Sequence, residues 1–134
     1  MPGEANKELV RRFYREAIVE RDASACERLL SVDFVHNGEP RGRGGQRQAV
    51  EYFLAAFPDL RHEIELAIAE DDLVAARQCW GGTHGGEFLG VAATGRRVEF
   101  SSTAILRVRY GLITEAWDEM DSGAILAQLS EGDS

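Results

Sequence analysis

The sequence predicts an α+β fold in which helices pack on one face of a bent, mainly antiparallel sheet, and three observations predict it. Apolar residues before Pro58 recur with a helical period, those after it alternate with a period of two, and the strand-like runs are joined by short polar turns. Helices first and a meander afterwards is the order of an α+β domain.

The elements follow in order. Val10, Phe13, Tyr14, Ala17 and Ile18 form one apolar stripe on a helix of about residues 4–20. A second, short helix has Asp22 as its N-cap and Cys26, Leu29 and Leu30 as its buried side. A third carries Val50, Phe53, Leu54 and Phe57 and is stopped at Pro58. Three helices therefore precede the first expected strand. In that strand Leu60, His62, Ile64, Leu66 and Ile68 share a face, and Glu70-Asp71-Asp72 turns the chain. The next, about 73–84, sets Val74, Ala76, Gln78, Trp80, Gly82 and His84 on one face. A third strand, about 96–109, ends at the Tyr110-Gly111 turn, and a fourth begins at Leu112. The loop Gly85–Gly95 is too long for a minimal hairpin and can fold over a cavity mouth. A short helix of about 122–130 closes the chain.

Composition narrows the function. With 134 residues, 44% hydrophobic and 28% charged, residues 1–134 make one globular domain. A net charge of −8 disfavours nucleic acid, whose binding rests on basic patches. No run reaches the ~18 apolar residues of a membrane helix, and Met1–Asn6 lacks the features of a signal peptide, so a cytoplasmic location is expected. Cys26 and Cys79 show no metal or disulfide spacing and read as reduced, buried residues. The three histidines lack metal-ligand spacing, and the glycines at 42, 44 and 45 lack the Gly-Lys-Ser/Thr ending of a phosphate loop. Neither metal nor organic cofactor is expected.

What remains is acid/base chemistry. Simple alternation in the last strand puts Ile113, Glu115, Trp117, Glu119 and Asp121 on one face, an aromatic among acids. A carboxylate beside apolar surface loses solvation and gains basicity, as proton abstraction next to a carbonyl requires. Asp121 is thus a candidate catalytic base, and equally a cap for the helix that follows; both roles are compatible. His84 shares a face with Trp80 and could hold a substrate carbonyl or pass a proton, or it could be structural. His36 and Asn37 offer a donor pair for polar substrate edges, unless Asp33–His36 is a plain edge segment. Tyr14, Phe57, Trp80, Phe88 and Trp117 are the aromatic candidates for a substrate pocket, while His62 reads as a partly buried strand residue.

Four motifs carry a family likeness: Ala56-Phe57-Pro58-Asp59-Leu60, Gly82-Thr83-His84-Gly85-Gly86-Glu87-Phe88-Leu89-Gly90, Thr94-Gly95-Arg96-Arg97-Val98, and Gly111–Trp117 with Asp121 and Gly123. In this order, over about residues 7–130, the chain resembles the SnoaL-like polyketide cyclases. The resemblance implies the nuclear transport factor two-like fold, a cone whose curved sheet encloses a pocket and which commonly pairs as a homodimer through the sheet. It also implies a cofactor-independent intramolecular aldol condensation of a hydrophobic aromatic polyketide ester, with Asp121 as the acid/base. On the strand Thr103–Val108, where the family places polar residues including a histidine, Arg107 would be the oxyanion donor. The alternative within this fold is a small-molecule-binding protein without catalysis, or an accessory to hydroxylation.

Overall fold

A computed structural model describes residues 2–130. The order is α1 (Pro2–Tyr14, continued by a wider π turn, Arg15–Val19), α2 (Ala25–Leu29), β1 (Leu30–His36), α3 (Gly42–Ala56), β2 (Arg61–Glu70), β3 (Leu73–Thr83), β4 (Arg97–Arg109), β5 (Leu112–Met120) and α4 (Ser122–Ser130). The sheet runs β1-β5-β4-β3-β2 and does not close. All neighbours pair antiparallel except β1, which runs parallel to β5 at the edge. The α+β prediction stands, with one correction to the order: β1 lies between the second and third helices. Its burial is irregular, with Leu30 and Phe34 buried and Val32 and Asp33 exposed between them, so it shows no clean alternation.

The helical stripe of α1 and its π turn buries Val10, Phe13, Ala17 and Ile18, α2 buries Cys26 and Leu29, and α3 buries Val50 and Ala56. Burial pushes the Cys26 thiol up to about 12, which keeps it a neutral packing group. These residues meet the inner face of the sheet. β4 alternates almost without exception, with Val98, Phe100, Ser102, Ala104, Leu106 and Val108 buried.

Two bulges set which residues reach that face. On β2, Ile64 pairs with Gln78 but Leu66 with Arg77, so Glu65 is an extra residue. The inner face therefore passes from His62 and Ile64 to Ala67 and Ala69, opposite Ala76 and Val74. Leu66 and Ile68, expected on the buried face, instead lie outward and are 54% and 58% exposed. On β5, Arg107 pairs with Glu115 but Val108 with Ile113, so Thr114 is extra. Beyond it the parity reverses: Ala116, Asp118 and Met120 stand opposite the inward residues Leu106, Ala104 and Ser102 of β4. Glu115, Trp117 and Glu119 face outward. The single face expected from Ile113 to Asp121 is thus broken after its first residue. Cys79 is corrected too: it is only half-buried, with its thiol 2.9 Å from Glu65 Oε1.

The loop after β3 is tied to the core by its backbone. The N–H groups of Gly85 and Gly86 both donate to the carbonyl of Ala56, at 2.9 and 3.1 Å, and so finish α3. Phe88 and Val91 pair across a tight turn in which Leu89 and Gly90 both have positive φ. This turn carries Phe88 inward beneath α3.

Candidate functional site

Between the helices and the inner face lies a cavity of about 310 Å³. Its apolar wall comes from Phe13, Tyr14 and Ile18 of the first helix, Val50 and Phe53 of α3, Trp80, Phe88 and Met120. Trp80 stacks on Phe100 at 5.9 Å with an interplanar angle of 2°, and its indole N–H donates to Ser102 Oγ at 2.8 Å. The large aromatic faces are held edge and flat by their neighbours, so the wall is a preformed apolar surface.

The carboxylate in the cavity is Asp118. His36 Nε2 lies 3.1 Å from both of its oxygens. Asn37 completes the clamp: its Oδ1 accepts the Asp118 backbone N–H at 2.8 Å, and its Nδ2 donates to the Asp118 carbonyl at 3.2 Å. Asn37 has a positive φ of 48°, a conformation asparagine adopts more readily than most residues. The parallel edge strand thereby delivers His36 and the turn after it delivers Asn37, both onto one acid of β5.

A second polar cluster sits across the wall. His62 Nε2 and Gln78 Oε1 are 2.6 Å apart, and Gln78 Nε2 donates to Tyr14 Oη at 3.3 Å. Gln78 is 1% exposed, and Tyr14 stacks on His62 at 4.8 Å. Burial pushes the Tyr14 hydroxyl well above the usual phenol range; the Gln78 bond opposes this and the Asp118 charge adds to it. Burial also lowers the His62 imidazole, which the Gln78 bond partly offsets. Tyr14 is therefore a neutral hydroxyl on the cavity wall. With His62 as donor, Gln78 Oε1 is the acceptor and its amide N–H points to Tyr14, so the Tyr14 proton is left for a ligand.

The expected site residues separate into three groups. His36, Tyr14, Trp80 and Phe88 line the cavity, and Asn37 supports its acid. Phe57 and His84 lie behind it. Phe57 is fully buried against Phe53 and Phe88. His84 is fully buried, with Nδ1 2.9 Å from Thr94 Oγ1 and accepting the Thr94 N–H at 3.2 Å. Arg107, Trp117 and Asp121 lie outside. Arg107 stands over the Trp117 ring at 5.6 Å on the outer face and bonds Asp72 at 3.0 Å. Asp121 is exposed and starts α4: its Oδ1 accepts the Ala124 N–H at 3.0 Å and its carbonyl the Ile125 N–H at 3.2 Å, which is helix capping. Sequence reasoning did not single out Asp118, Gln78, Phe53, Arg41 or Gln46. Gln78 was legible as a polar residue on an otherwise apolar face; Asp118 was hidden by the bulge.

Known proteins agree with this architecture. A family model described as SnoaL-like polyketide cyclase matches residues 8–129. Among solved structures, TsrD from Streptomyces laurentii is 28% identical over 95% of this chain and 96% of its own, with a TM-score of 0.87. AclR from Streptomyces galilaeus, a proposed hydroxylase, is 33% identical over 92% of this chain and 94% of its own, with a TM-score of 0.83. IdmH from Streptomyces antibioticus, a proposed polyketide cyclase, is 32% identical over 92% and 97%, with a TM-score of 0.80. No curated protein matches significantly. The half-cone of sheet and helices, the aromatic cavity between them and the match across nearly the whole chain place this protein in the SnoaL-like polyketide cyclase family.

Proposed function

We propose that this protein is a cofactor-independent acid/base enzyme that closes a ring in a hydrophobic aromatic polyketide by intramolecular aldol condensation. The observation that carries the reading is Asp118, a carboxylate in a largely aromatic cavity and hydrogen-bonded through both oxygens to His36. In this reading Asp118 takes a proton from the carbon between a carbonyl and the aromatic system. The enolate carbon attacks a ketone of the same molecule, and the proton returns from Asp118 to the new alkoxide. No electron acceptor is needed, since one C–C bond forms and one proton moves. His36 and Asn37 fix the orientation of the acid, and Tyr14 donates its hydroxyl proton to the oxygen where charge develops. The aromatic wall desolvates the reacting centre.

Asp121 is the competing base, and two substitutions separate the candidates. Asp118→Asn keeps the shape and removes the base, so turnover of a candidate polyketide falls by about two orders of magnitude or more. Asp121→Asn preserves the cap, because asparagine caps as well as aspartate, and leaves turnover unchanged. Full activity in Asp118→Asn sinks the reading, and loss confined to Asp121→Asn returns the role to Asp121. AclR, the proposed hydroxylase at 33% identity, favours hydroxylation as a second reading. Dioxygen consumption coupled to turnover of the substrate would select it over cyclisation.

A further inference from the structure

Among the described residues Arg41 is the one arginine on the cavity wall, half-buried just ahead of α3. Its Nη1 donates to Oε1 of Gln46 at 2.7 Å, and Gln46 lines the same cavity. Among the described residues no carboxylate forms an ion pair with it, although neighbouring Arg47 has both Glu27 and Glu51. A guanidinium remains charged at any physiological pH, and holding one against apolar surface without a counter-ion is unfavourable. The first turn of α3 carries no acidic residue, so the positive end of that helix reinforces the Arg41 charge.

The position is also built for this side chain. A Cβ on Gly45 would lie 2.5 Å from Arg41 Cγ, so the absence of a side chain at 45 lets the Arg41 stem lie across the first turn of the helix. Gln46 then fixes the head group. Its Oε1 is occupied by Arg41, which leaves its amide hydrogens as donors beside the remaining guanidinium N–H groups.

We propose that this end of the cavity is a carboxylate subsite, and that the substrate is an aromatic acid whose carboxylate is held by Arg41 and Gln46. The inference rests on the reading that the cavity holds substrate. Asp118, of like charge, disfavours the reversed pose, so the acid group seats at Arg41 and the rest of the molecule extends toward Asp118 and Tyr14. A neutral ester or amide of the same skeleton lacks the charge that the subsite answers.

Binding tests this without turnover. Calorimetry with 2-naphthoate, methyl 2-naphthoate and 2-naphthamide compares one planar skeleton in three charge and hydrogen-bonding states. The acid binds wild type at least about tenfold more tightly than either neutral probe, the usual scale of one charge-assisted contact. Arg41→Gln abolishes that preference and leaves the neutral probes unchanged, and Gly45→Ala weakens it by displacing the arginine. Equal affinity of the three probes for wild type, a preference that survives Arg41→Gln, or no binding of the acid at millimolar concentration overturns the subsite. Because Asp118→Asn retains the preference if the subsite exists, failure of the subsite and failure of the Asp118 mechanism are read separately.

Discussion

His62 and Asp118 show how single side chains are set by what faces them. His62 is wedged between Tyr14 and Trp80 and bonded to Gln78, and burial lowers its imidazole. The unfolded chain binds a proton at this residue that the folded chain refuses. Its contribution is therefore complete above the unfolded value of about 6.5 and is lost as pH falls from there through the folded value. His62→Phe retains ring stacking but orphans Gln78 Oε1, costing about 1–3 kcal/mol. Thermal melts between about pH 4.5 and 7 should show wild type losing stability with acid and His62→Phe losing less of it; parallel curves would remove the argument. At this scale the sequence was partly legible. His36 and Asn37 stand out as a polar donor pair in the turn after the second helix, whereas Asp118 falls on the opposite face from Asp121 because alternation from Ile113 assigns it there. The extra residue Thr114 reverses that assignment, and nothing in Gly-Leu-Ile-Thr-Glu-Ala-Trp-Asp announces a bulge.

Elements were more legible than the contacts between them. The 3.6-residue stripe of α1 and the inner face of β3 come from local pattern, and both match the structure, since each packs against one continuous apolar surface. β1 escaped because a short parallel edge strand depends on pairing with β5, some eighty positions away, and buries only alternate fragments of itself. The join of α3 to the loop after β3 is another such long-range fit. Gly86 packs so closely on the last turn of α3 that a Cβ there would overlap the Ala55 carbonyl. The obstacle is backbone, which cannot swing aside as a side chain can. Gly86→Ala should lower stability by about 1–3 kcal/mol and shift Phe88, the loop's contribution to the cavity. Chemical denaturation and probe affinity measured together check this, and a variant as stable as wild type would show that the loop has room the close approach denies.

Across the whole molecule, the two bulges that shape the cavity also shape the opposite surface. By turning Leu66, Ile68 and Trp117 outward, they create a row Ile68–Ala75–Ile105–Trp117 that crosses β2, β3, β4 and β5 in register. Ile68 and Ile105 are 58% and 42% exposed, and Leu66 lies beside the row at 54%. Scattered exposed apolar residues are ordinary, but a continuous band across four strands is a surface suited to contact with another molecule. The Arg107, Asp72, Arg109 and Glu115 cluster at one end supplies a polar rim of mixed charge. A two-fold pairing of sheet on sheet, which the family likeness implies, would cover this band and leave the helices on the other face clear. On that expectation the partner is a second copy of this chain. Ile105→Glu places a charge at the centre of the band, so sedimentation equilibrium should show wild type as a dimer and the variant as a monomer at the same concentration. The cavity lies between the helices and the inner face of the sheet, away from this band, so the monomeric variant should keep its affinity for aromatic probes; a monomeric wild type would leave the outer band to another partner.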